Sequence, residues 1–487
     1  MRRPMTPARA LSIATCALAA LALVAPAAEA KAPHPTPSGV RHLHYAFGPL
    51  TIKPGQNTID LAVNTQRPKV NGWITRFKPN LVRANGKVPP VDVIHLHHAV
   101  WLVNLKPTWA SGEEKTTAEL PKGFGWRYKT SDRWLLNHMI HNLTPNQDKV
   151  WITWDIDFIP DGSKAAKGIR RIDTQWMDVE GIKAYPVFDV LQGSGTNGRY
   201  TFPDQAVDPY GSGPIRNQWV VDHDATLVAA LGHLHPGGLW TDLELTRNGR
   251  TAELFRSRAH YYEPAGPVSW DVSMGVTPSN WRVAVKKGDV LSVHATYGTQ
   301  RGSWYESMGI MPVAITARPA GGKDPFKTNV AVKGVLTHGH LPENDNHGGQ
   351  EVGLADARKL PSGPSLNEVD INNFVYQQGD LSLAGSAGRP PVVPAGQSLT
   401  FFNGDAKKNI FHTITGCRAP CNGATGIAFP LAGGPTIFDS AELGFGPAGF
   451  TAAANTDTWQ TPPDLVAGTF TYFCRIHPFM RGAFRVQ

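Results

Sequence analysis

Between residues 150 and 158 the chain reads VWITWDIDF. Side chains alternate faces along an extended strand, so Val150, Ile152, Trp154, Ile156 and Phe158 fall on one face and Trp151, Thr153, Asp155 and Asp157 on the other. A strand apolar on one face needs a second layer to cover it, and the economical solution is two antiparallel sheets packed face to face. Short runs of this kind dominate, helical 3.6-residue periodicity is scarce, and 49 Gly and 40 Pro punctuate the chain. An all-β protein is therefore expected. Asp155 and Asp157 are read as facing solvent or hydrogen-bonded locally rather than as an acid–base pair.

At 487 residues the chain should hold roughly three domains of about 150 residues each. Polar Gly/Pro/Asp stretches at 194–214 and 317–328 mark candidate boundaries, and a loop-like stretch runs from His338 to Ser365. Residues 1–30 carry Arg2, Arg3 and Arg9, then an apolar run, then Ala28-Glu29-Ala30, the pattern of a secretory signal peptide. The expected location is secreted or extracytoplasmic. No later apolar run is long enough for a membrane span. Without the leader's three Arg and one Glu, the 47 basic and 39 acidic residues become 44 and 38, a net +6. These charges are dispersed, without the clustered stripe that nucleic-acid binding needs. No Ser/His/Asp triad, phosphate loop or paired-carboxylate spacing stands out.

Three cysteines follow the leader: Cys417, Cys421 and Cys474. In an oxidising compartment Cys417 and Cys421, within TGCRAPCNG, could close a small disulfide loop, which leaves Cys474 as an odd thiol. It stands in FCRIHPFM with His477 and Met480, and FHTITGC places His412 about sixty residues upstream. Two imidazoles, a thiolate and a weak thioether suit both cuprous and cupric copper, so electron transfer needs little reorganisation. On these motifs residues 369–487 resemble a cupredoxin, the Greek-key β-sandwich of blue-copper proteins. The resemblance implies a type 1 copper held by His412, Cys474, His477 and axial Met480. The two residues between His477 and Met480 are similar to the amicyanin spacing, shorter than the four common in plastocyanin.

Three histidine clusters lie upstream, VIHLHHAVWLVN, LLNHMIHNLTP and AALGHLHPGGLWTDLEL. Side chains at i and i+2 of a strand share a face about 7 Å apart, so His233 and His235 can converge on one metal. By motif order, residues roughly 40–320 resemble the copper type II monooxygenases, the family of peptidylglycine α-hydroxylating and dopamine β-monooxygenase. The resemblance implies two consecutive jelly-roll-like sandwiches, 31–193 and 194–325, each with a type 2 copper, then a His/Gly-rich linker at 326–368. It assigns His97, His98 and His141 to the first copper, and His233, His235 and Met308 to the second, oxygen-activating copper, where they are the candidate catalytic residues. Strand alternation would put His95 with His97 and send His98 to the other face, so a bulge is needed, and His95 stays an alternate ligand. His138 competes with His141, and Met311 with Met308. His338, His340 and His347 form a loop that either binds an additional metal or is solvated.

The combined expectation is an exported copper-dependent monooxygenase or oxidase. Its cupredoxin would pass electrons to type 2 copper sites, with dioxygen and a small molecule as reactants. A copper carrier or buffer is the alternative. A laccase-like oxidase is disfavoured because Phe473 and Arg475, not histidines, flank Cys474.

Overall fold

The computed structural model describes residues 39–63, 65–183, 185–262, 270–300, 302–317, 319–344, 355–381, 388–419, 436–444, 456–477 and 479–487. The leader, His347 and Cys421 lie outside them. The described chain is all-β: strands are joined by turns and three short 3-10 segments, and no helix is long and apolar enough to cross a membrane.

The alternating run lies in strand Asp148–Pro160, with Val150, Ile152, Trp154, Ile156 and Phe158 buried. Asp155 and Asp157 accept hydrogen bonds from His44 at 2.7 Å and His42 at 2.6 Å on the neighbouring strand Arg41–Ile52, as expected of local pairs. The buried face meets Phe77, Trp101, Trp109 and Trp134 from the facing layer and its own sheet. Phe77 stacks on Trp109 and meets Trp101 edge-on, which fills the core, while the indole N–H groups of Trp101, Trp109, Trp134 and Trp154 are buried without a hydrogen-bond partner.

The layer opposite is a four-stranded sheet of Asn57–Val63, Trp134–Asn142, Ile94–Val103 and Lys106–Ser111. It carries His95, His97, His98, His138 and His141. The sheet behind it continues past the expected boundary: Arg170–Gln175 pairs with Val313–Thr316, which pairs with Ala225–Ala230. A single nine-stranded sheet therefore backs both upstream cores, one around residues 52–172 and one around 177–330. This continuity holds the two halves in fixed register and brings the short strand His233–Leu234 up to the first half.

The C-terminal core is separate. Two sheets, one holding Glu368–Asn372 and Thr400–Asn403 and the other holding Thr415–Arg418, Gly468–Phe473 and Arg481–Val486, enclose Val369, Phe401, Tyr472 and Phe484. Cys474 follows the end of Gly468–Phe473, where the chain turns back into Arg481–Val486. Cys417 is disulfide-bonded, and its expected partner Cys421 is outside the described residues.

Candidate metal centre

The hairpin turn after Phe473 is closed by Cys474 N donating to Met480 O at 3.2 Å and Met480 N to His477 O at 2.9 Å. This turn projects the Cys474 and His477 side chains inward. His412 reaches them from a bridge with Leu443, which both donates to and accepts from its backbone. Nδ1 of His412 lies 3.9 Å from Cys474 Sγ, Nδ1 of His477 lies 3.7 Å from it, and the two nitrogens are 3.2 Å apart. A trigonal metal with bonds near 2.0 Å to nitrogen and 2.3 Å to sulfur would separate its ligands by about 3.5–3.7 Å. The triangle fits. Among the described residues it is the one group of three such side chains whose ligand atoms all lie within 4.8 Å of one another. Cys474 and Met480 are both fully buried in the same cluster.

The surroundings suit a thiolate. Burial alone would raise the Cys474 thiol, but the His412 hydrogen bond and charge, with the amides of Thr413 and His477 at 3.3 Å, hold it below its ordinary value. His412 turns its other nitrogen, Nε2, to Asp405 Oδ2 at 3.2 Å. Burial would raise Asp405 too, but His412 and the amides of Phe374 and Asn373 hold it down as a carboxylate. A carboxylate behind a ligating imidazole fixes its ring and tautomer. Asp405 was not foreseen, although an acid seven residues before His412 in FFNGDAKKNIFHT was a visible signal. His477 is only 1% exposed and meets the edge of Phe374, on which the first sandwich closes: a Cβ at Gly55 would come within 2.8 Å of that ring.

The upstream histidines meet at one junction. Strand Ile94–Val103 carries a bulge between Leu96 and His98, the irregularity that adjacent ligands require. It brings His97 Nδ1 to 3.3 Å from His98 Nδ1. The two histidine sets lie against one another. His97 lies with ring centroids 4.4 Å from His235, nearly perpendicular, and 5.7 Å from His141; His95 is 5.1 Å from His141, and His233 is 5.1 Å from His235. Two imidazoles on one tetrahedral metal at 2.0 Å would hold their centroids about 5 Å apart. The His412–His477 pair in this molecule sits at 5.0 Å. The continuous sheet is the reason the two sets adjoin.

Nitrogen atoms His95 Nε2, His233 Nε2, His235 Nε2 and both of His141 are buried without a hydrogen-bond partner. Each orphaned buried polar group costs about 1–3 kcal/mol, so these nitrogens call for a partner such as a water or a cation, while among the described residues no three ligand atoms of the junction histidines lie within 4.8 Å of one another. Their remaining nitrogens are oriented: His233 Nδ1 by Glu114 at 3.0 Å, His95 Nδ1 by Val91 O at 3.2 Å, and His235 Nδ1 by the Glu306 carbonyl. Burial, with neighbouring imidazoles, holds His95, His97 and His235 well below the ordinary imidazole range, and burial takes His98 to about 4 and His141 to about 3. All five are therefore neutral and able to ligate near pH 7.

The remaining candidates have the following neighbours. His98 Nε2 pairs with Asn137 at 3.0 Å. His138 packs edge-on against Phe47 on the far side of its strand. Met308 is buried with Met139, Trp176, Tyr185 and Ile310, while Met311 joins the second core. His338 stacks on Tyr262, and His340 pairs with Asp271 at 3.2 Å. Trp270, next to Asp271, lies against His95, His97 and His235 at 4.4, 5.2 and 4.7 Å. Nothing in its sequence context signalled this role. Glu306 was also missed: its carboxylate stands 3.9 Å from His97 Nε2, and burial raises it to about 7.

No family model and no curated protein matches the chain. One solved structure to which it is similar, the T13 particle of the virus IBDV, is 9% identical, covers 57% of this chain and 69% of that one, and has a TM-score of 0.16. At that score the likeness carries no argument.

Proposed function

We propose that this protein is a copper redox protein in which a type 1 centre at His412, Cys474, His477 and Met480 exchanges electrons with a second copper centre at the histidine junction. The observation that carries this reading is the buried triangle of one sulfur and two nitrogens, whose sides match the spacing around a trigonal metal. Cysteine and methionine select a soft metal, and no other described group offers this set.

For the junction, support comes from the orphaned nitrogens of His95, His141, His233 and His235. Copper bound there would supply one-electron steps and activation of dioxygen. The chain's own residues keep His95, His141 and His235 neutral, fix the orientation of His95, His233 and His235 through Val91, Glu114 and Glu306, and set Trp270 against His95 and His235. A narrow apolar cavity beside His98 and His233, lined by Trp109, Trp126, Trp176 and Ile310, suits dioxygen or a small apolar reactant. The reaction class that follows is copper-dependent oxidation or monooxygenation, in a protein exported to an oxidising compartment.

Copper loading of the purified chain tests this directly. Expected are an intense blue absorption lost in Cys474→Ser, a paramagnetic signal of ordinary copper that survives that substitution, and oxygen uptake with an added reductant. Colourless copper-saturated protein would remove the reading. Blue protein with both signals but no oxygen uptake under any reductant would favour the carrier alternative.

A further inference from the structure

We infer that Arg475 and Tyr305 form a built electron path from Cys474 to His235, joining the two centres across the contact between the second and third sandwiches. The inference rests on the copper reading above. Cys474 is bonded through the chain to Arg475, whose Nη2 donates to the Tyr305 hydroxyl. Tyr305 is bonded through the chain to Glu306, whose carbonyl accepts from His235 Nδ1. Only these two hydrogen bonds interrupt a covalent route from the sulfur to an imidazole whose other nitrogen is orphaned.

The route is held more firmly than a surface contact would need. Arg475 Nη2 also bonds Asp439 Oδ2 at 2.9 Å, its Nε bonds Thr415 Oγ1 at 3.2 Å, and its guanidinium lies 5.0 and 4.8 Å from the rings of Trp304 and Tyr305. Asp439 in turn accepts from Ser303 N at 2.7 Å and from Tyr305 OH at 3.3 Å, so it clamps both members. Burying a charged pair rarely adds net stability, so the clamp calls for another reason. Glu306 supplies a second sign: it holds φ +50, a conformation uncommon in a non-glycine residue, while its carbonyl meets His235. The competing route, from His477 toward His141, lacks a link of this kind, since neither His141 nitrogen is hydrogen-bonded.

The step balances without a proton. With copper held by the Cys474 site and by the junction histidines, transfer of one electron between them would oxidise the first from cuprous to cupric and reduce the second from cupric to cuprous. Arg475 and Tyr305 keep their protons throughout and act as positioning residues.

The test uses copper-loaded full-length protein and its Tyr305→Phe variant, which removes one hydroxyl. A pulse of external one-electron reductant bleaches the blue band, and its recovery under anaerobic conditions reads internal transfer. Expected is a recovery severalfold slower in Tyr305→Phe, with the blue spectrum and its midpoint potential unchanged, a combination that loosened packing would not give. Equal rates would overturn the path and direct attention to His477. A slower rate accompanied by a shifted spectrum or potential would overturn it as well, because the substitution would then act on the sulfur site. If Tyr305→Phe does not fold, Asp439→Asn is read the same way. Wild-type protein that takes up copper without a blue band would instead remove the functional reading itself.

Discussion

Asp405 is the residue whose removal separates orientation from ligation. It touches no sulfur, and of the candidate ligands it holds His412, by the far nitrogen. Asp405→Asn should keep the blue colour but weaken copper binding about 10- to 100-fold, the usual loss for a partner behind a ligating imidazole. A competition titration with a chelator checks this, and unchanged affinity would reduce Asp405 to a turn former for Asn373 and Phe374. Met480→Leu tests the axial position. A weaker axial donor disfavours the cupric state, so the midpoint potential should rise while the blue band persists. Arg475, by contrast, had been noted only because it is not histidine; its role emerges from where Tyr305 and Asp439 stand.

Among the strands, Asp148–Pro160 and the bulged Ile94–Val103 do different work. The first is a packing element. Trp154→Ala, at a fully buried position, should cost about 3–5 kcal/mol, read from the shift of a urea midpoint. The second carries His95, His97 and His98, and Gly112 lies against His97 and His233. A Cβ at Gly112 would lie 2.6 Å from the His233 ring and 3.0 Å from the His97 carbonyl. Gly112→Ala should therefore alter the paramagnetic signal of the junction copper while leaving the blue band intact. A change in neither signal would place the second centre away from His233.

The molecule as a whole carries a pH liability in its metal-free form. His95, His97, His98, His141 and His235 are buried and neutral, with folded pKa values below the ordinary 6.5. An unfolded chain binds protons there below about pH 6.5, whereas the folded chain does not. Stability is thus fully present above that pH and is lost as pH falls, through about 4 for His98 and about 3 for His141. Each of these two shifts corresponds to roughly 3–5 kcal/mol at the acid end. Thermal unfolding of metal-free protein from pH 7 to pH 4 should show a steep fall in Tm, and copper should raise Tm at pH 7. A flat profile would mean that the junction histidines are already accessible to water and protons.

The sequence was sufficient for whatever depends on near neighbours along the chain. The period-two pattern of Val150 to Phe158 specified β-structure because a strand can bury only one face. The need for a bulge followed from His97 and His98 being adjacent, and the spacing of Cys474, His477 and Met480 fits one hairpin turn. Tertiary structure alone decided which distant groups share a space. His97 meets His235 because Arg170–Gln175 and Val313–Thr316 join one sheet, a pairing across about 140 residues that no local pattern encodes. Trp270, Glu306 and the Arg475–Tyr305 contact belong to the same class. Backbone geometry and burial act over a few residues, and chemistry at an interface depends on how whole sheets are placed.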